Sequence, residues 1–175
     1  MSHLFASASC YTVALRAMEK TPEQWMRHAI ELAVRNVCDE NGGPFAALVV
    51  CAGRLISEAR NSVTASNDPT AHAEVEAIRA ACRQLGTFQL TGCELYTSCE
   101  PCPMCLGAIY WARLDRFYFA ARREDAMAHG FDDAFIYDEL CRQPEERAVS
   151  GYGLLTEEGL APFQAWLRCE TKIPY

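Results

Sequence analysis

The stretch Glu94-Leu95-Tyr96-Thr97-Ser98-Cys99-Glu100-Pro101-Cys102-Pro103-Met104-Cys105-Leu106-Gly107-Ala108-Ile109-Tyr110-Trp111-Ala112-Arg113-Leu114-Asp115-Arg116-Phe117-Tyr118-Phe119-Ala120 decides the architecture. Glu94 to Thr97 reads as a strand. Pro103 suits a first helical position, and the helix it opens is predicted to run to Leu114. Arg116 to Ala120 reads as a second strand. A strand, a helix and a strand in this order are expected to form a parallel unit with a right-handed crossover.

Working toward the N-terminus, His72 to Leu85 reads as a helix with Val75, Ile78, Ala81 and Leu85 on one face. Asn67-Asp68-Pro69-Thr70 before it is a loop. Phe45 to Cys51 is a short apolar run, the pattern of a buried strand, and Leu55 to Arg60 pairs back on it across Ala52-Gly53. Thr21-Pro22-Glu23-Gln24 is a helix start, with a capping residue, a proline at the first position and Gln24 completing a capping box. Trp25, Ala29, Leu32, Ala33, Asn36 and Val37 continue at helical spacing until Asn41-Gly42-Gly43-Pro44. Toward the C-terminus, Arg122 to His129 is predicted helical. The chain beyond Gly130 reads as irregular until a helix over Leu160 to Cys169. Strands alternating with helices imply an α/β fold, a three-layer α/β/α sandwich with a mixed central sheet and helices on both faces. In such sheets ligands bind at the carboxyl edge of the strands.

The bulk numbers are those of one ordinary domain. The chain has 175 residues, half of them hydrophobic and 22% charged. With 16 Lys and Arg against 23 Asp and Glu the net charge is −7. That balance argues against a nucleic-acid partner, because such binding rests on basic side chains neutralising phosphates. No apolar run is long enough to span a membrane. Residues 1–21 read as a flexible N-terminal extension, Ser/Ala-rich and without an acid before Glu19, and residues 22–175 as a single domain. No secretory signal is visible, so the ten cysteines are expected to be reduced and the location cytoplasmic.

Two segments carry the chemistry. Thr70-Ala71-His72-Ala73-Glu74-Val75 and Glu100-Pro101-Cys102-Pro103-Met104-Cys105 each open a helix. Cys102 and Cys105 stand three residues apart and share a helix face. A helix N-terminus favours thiolates through the positive end of its dipole. One His and two Cys give a zinc ion three protein ligands and leave a fourth position for water, the pattern of a catalytic site. Glu74, two residues past His72, is placed to move a proton. A different reading keeps Cys-x-x-Cys as a redox pair, or as half of a structural zinc site completed by Cys93 or Cys99, with Glu74 dispensable. Cys10, Cys38, Cys51, Cys82, Cys93, Cys141 and Cys169 read as core or incidental thiols. His3, His28 and His129 read as ordinary surface or core residues.

His-x-Glu combined with Pro-Cys-x-x-Cys resembles the signature of zinc-dependent nucleobase deaminases. Longer stretches narrow the resemblance to the bacterial guanine deaminases of the cytidine deaminase superfamily. They are Asn67 to Val75, Tyr96 to Arg113, Gly42-Gly43-Pro44-Phe45, Gly130-Phe131-Asp132-Asp133, Pro162 to Trp166, and the terminal Tyr175. The resemblance covers residues 22 to 175. It implies a cytidine deaminase-like fold and one Zn2+ per subunit on His72, Cys102 and Cys105, with Glu74 as proton shuttle. Asn61, Asp133, Tyr175, Phe45 and Ala73 would contact the purine. It also implies a homodimer exchanging the C-terminal segment from about residue 130, which would let Asp133 or Tyr175 act across the dimer. The implied reaction is hydrolytic deamination of guanine to xanthine and ammonia. An ionised carboxylate only accepts hydrogen bonds and so suits the adjacent donors of guanine, whereas Asn both donates and accepts. Ala46 stands where many relatives have glycine. Guanosine deaminase, tRNA adenosine deaminase and a non-catalytic zinc-binding interaction module are the rival readings.

Overall fold

The computed structural model describes residues 20–175; the expected extension, residues 1–21, lies almost wholly outside them. Helix α1 spans Pro22–Cys38. Its capping box forms as the sequence predicts: the Gln24 amide N–H donates to Thr21 Oγ1 at 3.4 Å, and the Thr21 N–H donates to Gln24 Oε1 at 2.8 Å. Trp25, Ala29, Leu32, Ala33 and Asn36 are buried on one stripe. Val37 is half exposed instead. A helix turns about 100° per residue, which carries Val37 off the stripe that Asn36 closes.

Four strands form one sheet: β1 (Ala46–Cys51), β2 (Arg54–Arg60), β3 (Cys93–Cys99) and β4 (Arg116–Ala121). Their order is β2-β1-β3-β4. β1 is antiparallel to both β2 and β3, and β3 is parallel to β4. The sheet is mixed, as expected. β2 and β3 run in the same direction, but β1 lies between them. The β1–β2 hairpin turns at Ala52 and Gly53, both at positive φ, which matches the right-handed twist of the strands.

β1 is buried on both faces, and its alternate residues feed two cores. Ala46, Leu48 and Val50 pack with Tyr96 against Trp25, Ala29, Leu32 and Ala33 of α1. Ala47 and Val49 pack with Leu95 against Ala77, Ile78 and Ala81 of α3 (Ala73–Leu85) and Ile109 of α4 (Pro103–Trp111). This gives helix, sheet and helix in three layers. A short helix α2 (Val63–Ser66) follows β2, and α5 (Arg123–Ala128) follows β4.

The stretch beyond Gly130 is more ordered than its sequence suggests. Helix α6 (Ala134–Leu140) starts where Asp132 Oδ1 accepts the Ala134 amide N–H at 2.9 Å. With fewer than two turns it shows little periodicity for a sequence reading to detect. Helix α7 spans Ala161–Arg168. From residue 141 onward every residue but Arg147 and Lys172 is exposed, Phe163, Trp166 and Leu167 of α7 among them. Among the described residues no helix is long and apolar enough to cross a membrane.

The topology gathers one set of chain ends. The carboxyl ends of β2, β3 and β4 share an edge, and the antiparallel β1 starts there. Asn61, Glu100, Arg122 and Phe45 are therefore neighbours although they are far apart in sequence.

Candidate active site

His72 is the N-cap of α3 and Cys102 the N-cap of α4, both with extended backbone, and Cys105 lies in the first turn of α4. Pro103 opens α4, where its missing N–H costs no helical hydrogen bond. Two helix N-termini thus point into one place. His72 Nδ1 is 3.5 Å from Cys102 Sγ and 3.5 Å from Cys105 Sγ. All three donor atoms lie within 4.8 Å of one another. A tetrahedral zinc ion with Zn–S near 2.3 Å and Zn–N near 2.0–2.1 Å spaces its nitrogen and sulfur ligands about 3.5 Å apart. The donor set therefore fits zinc in chemistry and in spacing, with three ligands rather than four. Cys93 and Cys99 stand outside the group. Burial pushes the Cys99 thiol up to about 11.

The two cysteines are electrostatically unequal. Hydrogen bonding with Cys105, and then with His72, brings Cys102 down to about 4. Hydrogen bonding with Cys102 and burial push Cys105 far up. One thiolate forms readily, and the second forms when a cation compensates it.

Glu74 is buried, on the first turn of α3. Its Oε1 accepts a hydrogen bond from Thr97 Oγ1 at 3.0 Å, and its Oε2 one from Cys105 Sγ at 3.3 Å. Burial raises its pKa, against the lowering effect of its hydrogen bonds, including that from Thr97. Thr97, on β3, is fully buried, and no local pattern marked it as part of the site.

A cavity of about 440 Å³ opens beside these groups, a volume suited to a small organic ligand. Its wall includes His72, Glu74, Cys102, Asn61, Phe45 and Asp133, which the sequence assigned to the site. Phe131, Glu100 and Arg123 also line it and were not foreseen as site residues. Phe131 meets Phe45 edge to face at 4.9 Å between ring centres. Burial, and then the nearby Cys102, raise the Asp133 carboxyl. Tyr137 donates to the Pro101 carbonyl at 3.2 Å, tying α6 to the loop that carries Cys102.

Cys105 is buried beside His72 and Cys102 and off the cavity wall, and two other assigned residues stand apart from the site. The Ala73 side chain packs into the core with Ala77 and Ile78. Tyr175 lies in a separate apolar groove lined by residues of α3 and α4, its ring 6.0 Å from that of Trp111 and 6.5 Å from that of Phe88. His28 pairs with Glu58, and His129 bonds the Asp125 carbonyl.

Residues 19–121 match the model of the cytidine and deoxycytidylate deaminase zinc-binding region. The chain is 53% identical to the guanine deaminase of Bacillus subtilis over 153 residues, covering 87% of this chain and 98% of that protein. The crystal structure of that enzyme superposes with a TM-score of 0.87 at 52% identity, over 89% of this chain and 99% of the other. A guanine deaminase from Nitrosomonas europaea superposes at 0.62 with 34% identity, over 85% and 86% of the two chains. A tRNA-specific adenosine deaminase of Aquifex aeolicus is 50% identical, but over 78 residues, 45% of this chain and 52% of that protein.

Proposed function

The chain belongs to the cytidine and deoxycytidylate deaminase zinc-binding family, and on that premise we propose that it hydrolyses guanine to xanthine and ammonia. The observation that carries this reading is the extent of the guanine deaminase match. A match of 153 residues in a chain of 175 takes in the Gly130–Asp133 run. The tRNA deaminase match is half as long, and the net charge of −7 gives no support to an RNA partner.

His72, Cys102 and Cys105 would hold the zinc. When bound there, zinc supplies a Lewis acid that brings a water molecule's pKa down toward about 7. The chain's own groups do the rest. Glu74, buried and with its pKa raised, is the carboxylate that would carry protons at the reacting carbon. It takes one proton from the attacking water and delivers it to the ring nitrogen, then takes the second from the new hydroxyl on C2 and gives it to the departing amine. The C2–N bond breaks, a C2–O bond has formed, and ammonia leaves. Thr97 keeps one Glu74 oxygen oriented. Asp133 accepts from the donor edge of guanine, Asn61 hydrogen-bonds the purine, and Phe45 and Phe131 cover the ring. Ala73 reaches a ligand only through its backbone.

In the same reading the protein is a cytoplasmic homodimer that exchanges its C-terminal segment, and Tyr175 closes the partner's cavity. The exposure of Phe163, Trp166 and Leu167 supports this, because apolar side chains left on the surface favour a second surface to cover them.

The test is ammonia release by purified, zinc-loaded protein offered guanine, guanosine, cytosine and adenosine-containing tRNA in parallel. Ammonia and xanthine from guanine alone is the expected result. Release from tRNA or cytosine instead would overturn the substrate while keeping the zinc chemistry.

A further inference from the structure

Asn36 is the polar member of the apolar stripe of α1, and it is 1% exposed. Its Nδ2 donates two hydrogen bonds, to the Gly43 carbonyl at 2.8 Å and to the Asn61 carbonyl at 2.8 Å. Among the described residues its Oδ1 has no partner. Burying an amide with one end unsatisfied is a poor way to fill a core. The compensation lies in what the other end holds, because both carbonyls belong to chain segments that wall the cavity.

These segments are joined into one body. The Asn61 amide N–H donates to the Phe45 carbonyl at 2.9 Å. The Asn61 Oδ1 accepts the Val63 amide N–H at 3.3 Å, which fixes the side-chain amide and leaves its NH2 group available. Gly42 is pressed against the same joint: a Cβ there would stand 2.5 Å from the Asn61 carbonyl oxygen and 3.3 Å from Asn36 Nδ2. The path therefore closes from α1 through Gly43 and Phe45 to Asn61 and back to α1.

We propose that Asn36 is a positioning residue for substrate: its buried amide clamps the Gly43–Phe45 loop to Asn61 and so sets where the purine-reading rim stands relative to the reacting groups. The proposal rests on the purine reading above. Asn36 touches neither Glu74 nor the three metal ligands. Its loss should therefore weaken ground-state and transition-state binding alike and leave the chemical step intact.

Asn36→Leu keeps the branched shape and heavy-atom count of the side chain and removes the two donors. The expected result is a KM for guanine raised about tenfold, with kcat within about threefold of wild type. Zinc content should stay at one per chain. Gly42→Ala strains the same joint while keeping the Asn36 side chain and should give the same KM phenotype, so it decides the matter if Asn36→Leu does not fold. A separate readout needs no turnover: amide hydrogen exchange of the zinc-loaded protein. Residues 43–45 and 61–63 should exchange faster in both variants, while β3 and α3 keep their protection. A folded, zinc-loaded variant with unchanged KM, or with unchanged exchange in those two segments, overturns the proposal. Faster exchange there in a protein whose wild type ignores guanine would sink the substrate reading and leave the clamp standing.

Discussion

Glu74 shows at the scale of one residue how burial prepares chemistry. A carboxylate out of water favours its protonated form, so its pKa rises toward the range where it can both take and give a proton. Glu74→Gln removes that capacity and keeps the shape. The expected outcome is a zinc content unchanged by elemental analysis and a kcat lower by about 10²–10⁴-fold. Retained turnover would mean that another group carries the proton. The sequence showed Glu74 because it sits two positions from His72. It could not show Thr97, whose bond to Glu74 spans 23 positions. Nor could it separate Asn36 from the apolar residues around it, although an amide in an apolar stripe is itself a signal.

At the scale of elements, α1 and β1 hold up the site from behind. The Thr21 capping box satisfies two backbone donors at the start of α1. Thr21→Ala should cost about 1 kcal/mol, read as a lower denaturant midpoint with an unchanged slope. Leu48, fully buried where β1 meets α1, should cost about 2–5 kcal/mol on substitution by Ala. Activity of the folded fraction should be retained in both, since neither residue lines the cavity. The main helices and all four strands were legible in the sequence because each has a strong local pattern: a cap, a proline, an apolar run or a Gly-containing turn. α6 was not, because its seven residues give too short a period and its start depends on one Asx side chain.

At the scale of the whole molecule, the C-terminal segment is the unusual part. Phe163, Trp166 and Leu167 of α7 are left on the surface, and apolar area of that kind is removed from water by association. The protein should sediment as a dimer at micromolar concentration, and removal of residues 141–175 should yield monomer. If the full chain sediments as a monomer, the segment exchange is wrong, and Tyr175 has no route to a cavity.

The sequence by itself determined the zinc-type donor set, Glu74 beside it, and the α/β order. Each of these is written in residues a few positions apart, where helix and strand geometry fixes what faces what. Only the tertiary structure decided the sheet order, with β1 set between β2 and β3, and with it how Asn61, Phe45 and Asp133, which the resemblance assigned to the site, meet Glu100 on one cavity. It alone placed Tyr175 in a groove away from His72, Cys102 and Cys105 of its own chain and aimed Asn36 at two backbone carbonyls. Those contacts join distant parts of the chain, and no local period encodes them. They follow from which strands pair and which faces the helices cover, a choice made by the burial of the whole core.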